Sequence, residues 1–140
     1  MVPPAGDYDH FGDPDCLKYK DRWYLFVGVD GPSATHIFAV YIASNLEFVA
    51  SDSTWSGDSA GWCAIDPRTP DGTNYYLFSC GHEPNDRLRR YVFSADLLYT
   101  SGVFRLLSVD GHPYTLLYDE TGTNILTLDC SLQGGDFTPS

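Results

Sequence analysis

Two aspartates, each followed by proline, are the residues of this sequence best suited to chemistry. Asp13 and Asp66 lie in similar stretches, and His10 and Trp62 come shortly before them. Two carboxylates that face one ligand can divide the work of a general base and a general acid, because crowding raises the pKa of one of them. His10 could add a polar contact, and Trp62 could offer an aromatic platform for a ligand ring.

Each of these residues also has a purely structural interpretation. An aspartate before proline often starts a turn, and a repeated fold can reuse such a turn for folding alone. His10 can equally be a hydrogen-bonded histidine without a ligand, and Trp62 a core residue. Both interpretations of the four residues are open at the level of sequence.

The two aspartates belong to a repeat. Residues 12–27 and 64–79 both contain Asp-Pro, a polar turn, an aromatic pair and Leu-Phe, and a weaker copy covers 108–118. This order predicts a short strand, a tight turn and a buried returning strand in which one aromatic residue of each pair is buried. Further strands are predicted over 35–44, 46–50, 88–98, 103–107 and 124–132, and no helix is predicted.

The spacing of the repeat predicts the fold class. It is 53 residues from Asp13 to Asp66 and 44 from Asp66 to Asp110, a period that fits one four-stranded antiparallel blade of a β-propeller. We therefore expect an all-β chain, residues 1–140, forming a single domain of three blade-like repeats at about 10–55, 60–107 and 108–140. A β-sandwich is the alternative.

The blade arrangement predicts where the candidate residues lie. The innermost strand of each blade begins beside the ring axis, so equivalent aspartates would point into a shared funnel. On the assumption that Asp13 and Asp66 are equivalent, the two aspartates, His10 and Trp62 are expected at the same end of the ring, near the axis.

The net charge and the cysteine content limit the classes of ligand and partner that the chain is expected to bind. The net charge of −11 argues against nucleic acid or an anionic membrane as the main partner. The four cysteines show no metal-ligand spacing, so neither a metal nor a cofactor is predicted, and the thiols are expected to be buried or partly buried, although two disulfides are conceivable. No signal peptide is recognisable at the first residues, which favours a cytoplasmic protein.

The motifs also carry a family resemblance. Asp-Pro, a turn, Tyr-Tyr-Leu and a strand running into Ser-x-Asp-Leu resemble the blades of the five-bladed propeller glycosidases, the family 43 arabinanases and xylosidases. Asp13-Pro14 is similar to their opening blade, whose Asp is the general base. Asp66-Pro67 is similar to a later blade, whose Asp orients the acid and tunes its pKa; with Arg68 it is also similar to the Asp-Pro-Arg of the mannoside phosphorylases.

The resemblance implies a known chemistry with one part missing. Inverting cleavage of a glycoside needs two carboxyl groups roughly 6.5 to 9.5 Å apart. The family's acid is a Glu at the start of a middle blade, and none of the glutamates here, Glu47, Glu83 and Glu120, holds such a position. We therefore expect a carbohydrate-interacting propeller with an incomplete catalytic set. The alternative is an active inverting glycosidase whose carboxylates come together in a homo-oligomer.

Three blades are too few to close a ring, and an open ring leaves blade faces and strand edges unprotected. The sequence therefore predicts a head-to-tail homodimer that completes a six-bladed propeller, or a five-bladed one if part of the third repeat lies outside the ring. A fragment of a longer enzyme is the alternative.

Overall fold

The computed structural model describes residues 10–30, 37–52, 62–79, 89–109, 116–118, 121 and 124–127. Within these ranges the chain is mostly β, with two antiparallel sheets of four strand positions each, a two-stranded hairpin and one short helix, and the described strands form no closed barrel. The prediction of an all-β chain is confirmed at this level. None of the described helical segments has the length and apolar character needed to cross a membrane.

Sheet 1 comes from the first repeat. Its strands are β1 (His10–Phe11), β2 (Asp15–Tyr19), β3 (Arg22–Asp30), β4 (Ile37–Ile42) and β5 (Phe48–Asp52). The short strands β1 and β2 pair one after the other with β3, so together they fill the first of the four strand positions. The β2–β3 hairpin turns at Lys20, whose φ is 55°.

Sheet 2 repeats the same antiparallel order. Its strands are β6 (Ala64–Asp66), β7 (Asn74–Ser79), β8 (Arg89–Ser94) and β9 (Leu107–Ser108). A further hairpin joins β10 (Leu116–Tyr118) to β11 (Asn124–Thr127). Most of the predicted third repeat, including Asp110 and the strand beyond residue 127, lies outside the described residues.

A helix replaces part of the strand that was predicted over 88–98. Helix α1 (Ala95–Ser101) begins where the Ser94 hydroxyl accepts the Leu97 backbone N–H at 3.1 Å, and it ends at Gly102, which has a φ of 62°. Serine before a helix and a left-handed glycine after it are favourable caps. The strand predicted over 103–107 is also wrong, because β9 starts only at Leu107.

The main core lies between the two sheets. Alternate residues of β2, β3 and β4 meet alternate residues of β6, β7 and β8, and residues around α1 complete the cluster. Phe93 of sheet 2 lies 5.1 Å from the ring of Phe26 and 5.4 Å from that of Phe104. Buried aromatic rings at such distances contribute more than their buried area alone. The sheets are therefore joined face to face.

The predicted alternation of the aromatic pairs is confirmed. Tyr24 is 0% exposed while its neighbour Trp23 is 52% exposed. In the second pair Tyr75 is buried and Tyr76 half-buried. The buried member is the second residue in one pair and the first in the other, because opposite faces of the two sheets meet at the shared core.

Candidate functional site

The first strands of the two sheets meet at a place that we call the strand junction, formed by Asp13, Trp62 and Cys63. Asp13 and Trp62 form a parallel β-bridge, and the Cys63 backbone N–H donates to the Asp13 carbonyl at 3.2 Å. From this point β2 and β6 run side by side in the same direction. The partner of Asp13 in the second repeat is therefore Trp62.

This register corrects the predicted equivalence of Asp13 and Asp66. Asp66 is the last residue of β6, four residues beyond Trp62, which corresponds to roughly 13 Å along an extended strand. Asp13-Pro14 lies between β1 and β2 in the first repeat, whereas Asp66 ends β6 in the second. The expectation that Asp66 shares one end of the fold with Asp13 and Trp62 is thus wrong.

Asp66 takes part in a tight ion pair with Arg68. The guanidinium Nε donates to Asp66 Oδ1 at 2.8 Å, Nη2 donates to Oδ2 at 2.9 Å, and the Arg68 backbone N–H donates to Oδ1 at 3.0 Å. The hydrogen bonds from the Arg68 side chain hold the pKa of Asp66 below its usual value, against the opposing effect of burial. A general acid needs the opposite shift, so this geometry favours the interpretation of Asp66 as turn chemistry.

The loop after Asp66 is fixed by a second carboxylate. Asp71 accepts the backbone N–H groups of Thr73 at 2.9 Å and Asn74 at 2.8 Å, and the Asn74 side chain donates to its other oxygen at 2.6 Å. These hydrogen bonds, led by the one from the Asn74 backbone, lower the pKa of Asp71 far below its usual value. The turn that joins β6 to β7 is therefore stabilised by two carboxylates, those of Asp66 and Asp71, which already accept hydrogen bonds from backbone N–H groups.

Trp62 belongs to the core at the strand junction. Its side chain is 4% exposed, and the buried indole Nε1 has no hydrogen-bond partner among the described residues. Its carbonyl accepts the hydroxyl of buried Ser79. A sugar could stack on this ring only after a rearrangement, so the platform role assigned to Trp62 stays a prediction that this conformation does not favour.

The remaining predicted residues lie near the strand junction. Asp13 is exposed. His10 starts β1 and pairs with Asp30, which is buried at the end of β3. The His10 side chain lies outside the described part, so its predicted polar contact stays a prediction. The structure thus brings Asp13, Trp62 and the backbone of His10 to one end of the sheets.

Two carboxylates that sequence reasoning missed join the sheets. Asp15 Oδ2 accepts the Ile65 backbone N–H at 2.6 Å, and Asp52 Oδ2 accepts the Leu106 backbone N–H at 2.7 Å. Both acidic residues come from sheet 1, and both donors belong to the second repeat. The sequence shows Asp15 and Asp52 only as acidic residues in strand-like segments. Such a pattern does not indicate which backbone N–H group the carboxylate will bind.

The burial of the described thiols agrees only in part with the expectation. Cys16 and Cys63 are free, and Cys16 is exposed, whereas a buried or partly buried position was expected. Cys63 is buried with its Sγ 3.2 Å from the Phe26 carbonyl, and burial raises the pKa of its thiol strongly. Cys80 and Cys130 lie outside the described residues. No metal-ligating cluster occurs in the part of the chain that is described.

Comparison with known proteins does not assign the chain to a family. No family model, curated protein or solved structure matches the chain. The resemblance to the family 43 glycosidases therefore stays a prediction that depends on the short motifs alone.

Proposed function

We propose that this chain is a carbohydrate-binding protein built from propeller-like blades, and that it binds its ligand at the strand junction without hydrolysing it. The observation that carries the proposal is the exposed Asp13 carboxylate at the place where the first strands of two sheets meet. A carboxylate can accept hydrogen bonds from two neighbouring hydroxyl groups of a sugar. The cytoplasmic expectation is supported by the two free thiols, Cys16 and Cys63.

The position and state of Asp66 support binding without catalysis. Its offset from Asp13, roughly 13 Å along the strand direction, is longer than the separation of about 6.5 to 9.5 Å between the carboxyl groups of inverting glycosidases. The ion pair with Arg68 also keeps Asp66 ionised. A bound glycoside at Asp13 would lack a proton donor from Asp66.

The two sheets support a blade arrangement. Each is a four-stranded antiparallel meander, they pack face to face, and their first strands lie side by side in parallel. Neighbouring blades of a propeller have these three properties, because each innermost strand lines the same axis. Under this proposal Asp13 lies beside the axis.

The proposed ring is completed by a second copy of the chain. Tyr76, Phe78 and Val92 lie on the face of sheet 2 that points away from sheet 1, together with Leu107, which is 64% exposed. Arg90 lies over the Tyr76 ring at 4.9 Å on the same face. A face of this composition suits packing against another sheet, and a head-to-tail dimer would provide one.

The function is tested by binding to arabinan and xylan, measured by affinity electrophoresis and calorimetry. We expect the wild-type chain to bind at least one polysaccharide, and Asp13→Asn to reduce the affinity tenfold or more without changing the melting temperature. Lys18→Gln, which removes a charge from an exposed residue on β2, should bind as wild type does. Absence of binding by the wild type, or equal binding by Asp13→Asn, would contradict the proposal.

A further inference from the structure

An open cavity of about 440 Å³ lies at the end of sheet 1 opposite the strand junction. We call it the turn cavity; its lining consists of Arg22, Ile42, Asn45, Glu47, Phe48 and Val49. Arg22 starts β3, and the other lining residues lie on or beside the β4–β5 connection. The length of β2 separates this end from Asp13 by roughly 20 Å, so the turn cavity is distinct from the site proposed above.

The cation of the turn cavity is held in place by aromatic residues. The Arg22 guanidinium lies over the Tyr99 ring at 5.1 Å, and its Nη1 donates to the Tyr24 hydroxyl at 3.5 Å. None of the ion pairs between described residues uses Arg22. A guanidinium carries five N–H donors, so most of them are available to a ligand.

The polar residues of the turn are also arranged before any ligand arrives. Asn45 Oδ1 accepts the Glu47 backbone N–H at 3.0 Å, and Asn45 Nδ2 donates to Glu47 Oε2 at 3.4 Å. Between them Leu46 has a φ of 58°, held by a bond from its N–H to the Ile42 carbonyl at 2.8 Å. The left-handed region is intrinsically unfavourable for leucine, so the surrounding hydrogen bonds must hold the turn in this conformation.

An aromatic ring completes the lining. Phe48 is 39% exposed, and its ring meets Tyr41 edge to face at 5.7 Å, which fixes its orientation. Ile42 and Val49 lie beside it as apolar wall residues. The cavity therefore offers a donor fork, an amide, a carboxylate and an apolar surface together, which is the mixture that binding pockets use to orient a small ligand.

The charges select the class of ligand. An anion would meet Glu47 and a chain of net charge −11, whereas a cation would meet Arg22. A neutral ligand with neighbouring hydroxyl groups satisfies both residues, because one hydroxyl can accept from the guanidinium while the next donates to the carboxylate. We infer that the turn cavity binds one ring of a neutral saccharide, with a C–H face of the sugar against Phe48, as a second site independent of Asp13.

The test is a titration of the ¹⁵N-labelled chain with xylotriose and, separately, with arabinotriose, followed by two-dimensional NMR. We expect one of them to cause saturable shifts of the Asn45 side-chain amide and the Leu46 backbone amide. Glu47→Gln and Phe48→Ala should each weaken this binding tenfold or more. Leu107→Ala, a matched truncation of an exposed apolar residue on sheet 2, should leave it unchanged.

The same titration of the Asp13→Asn variant distinguishes the turn cavity from the site at the strand junction. If Asp13→Asn leaves the shifts at Asn45 and Leu46 intact, the turn cavity is an independent site whatever happens at the strand junction. The inference is overturned if neither trisaccharide shifts these amides, if Leu107→Ala weakens binding as much as Phe48→Ala, or if only the zwitterion glycine betaine binds there. Should Phe48→Ala lower the melting temperature, Glu47→Gln decides alone, because it keeps the size of an exposed side chain.

Discussion

Among the described residues, Arg68 alone donates hydrogen bonds to the Asp66 carboxylate, and this has a consequence for the dependence of stability on pH. The pKa of Asp66 is lower in the folded chain than in the unfolded chain, chiefly because the Arg68 side chain donates to it. A depressed carboxyl pKa stabilises the fold above the unfolded pKa, and that contribution is lost as the pH falls through the folded pKa. Arg68 is largely exposed, which keeps the effect modest.

We therefore predict that Arg68→Gln lowers the melting temperature at pH 7. The difference from wild type should shrink as the pH falls from about 4, the pKa of the unfolded carboxyl, through the lower pKa that Asp66 has in the folded chain. The measurement is thermal unfolding by circular dichroism between pH 7 and pH 2. Lys18→Gln, which removes a positive charge from an exposed position on β2, serves as the control. A difference between Arg68→Gln and wild type that stays constant down to pH 2 would show that Asp66 is not the group involved.

At the scale of elements, the seven residues of α1 depend on their two ends. Isolated helices of this length are unstable in water, so the Ser94 cap and the left-handed Gly102 matter more here than in a long helix. Ser44 also precedes a leucine, but at the shorter spacing Ser44-Asn45-Leu46, and it lies in a turn without a helix to cap. The two serines thus allow a comparison of a capping serine with a turn serine.

Ser94→Ala is expected to destabilise the chain by about 1 kcal/mol, because the Leu97 N–H loses its acceptor. Ser44→Ala should change the free energy of unfolding by less than about 0.5 kcal/mol. Both values come from urea denaturation followed by fluorescence of the tryptophans. Equal effects of the two substitutions would mean that the cap contributes nothing specific.

Sequence reasoning predicted those parts of the fold that depend on neighbouring residues. The aromatic pairs at Trp23 and Tyr75 marked the hairpins, since alternation of burial along a strand is a local property. Sequence reasoning failed for the position of Asp66, because an Asp-Pro pair has the same sequence whether it lies before a strand or at its end. The bonds from Asp15 and Asp52 to the other sheet could not be predicted, since their partners lie 50 and 54 residues away in the sequence.

At the scale of the whole molecule, the outer face of sheet 2 determines the proposed assembly. Leu107 is the most exposed large apolar residue of the described part, and it shares this face with Tyr76 and Val92. A head-to-tail dimer would bury all three against a second chain. Burying one leucine contributes about 1.5 to 3 kcal/mol, so a charge at this position should oppose association.

We predict that light scattering gives twice the chain mass of 15.6 kDa for the wild type, and that Leu107→Asp shifts the mass towards the monomer. Leu97→Asp, which places the same charge on the exposed side of α1, should leave the dimer intact. A compact wild-type particle of the monomer mass would refute the dimer and leave an open pair of sheets.

The bonds from Asp15 and Asp52 also bear on how fast the chain folds. Within each sheet every strand pairs with a neighbour that is close in sequence, whereas these two bonds close loops of 50 and 54 residues. Long loops lose more chain entropy on closure than short ones, and contacts distant in sequence slow folding. The hairpins are therefore expected to form early. The rate-limiting step is expected to be the docking of one sheet on the other, in which both carboxylates form hydrogen bonds with N–H groups distant in sequence.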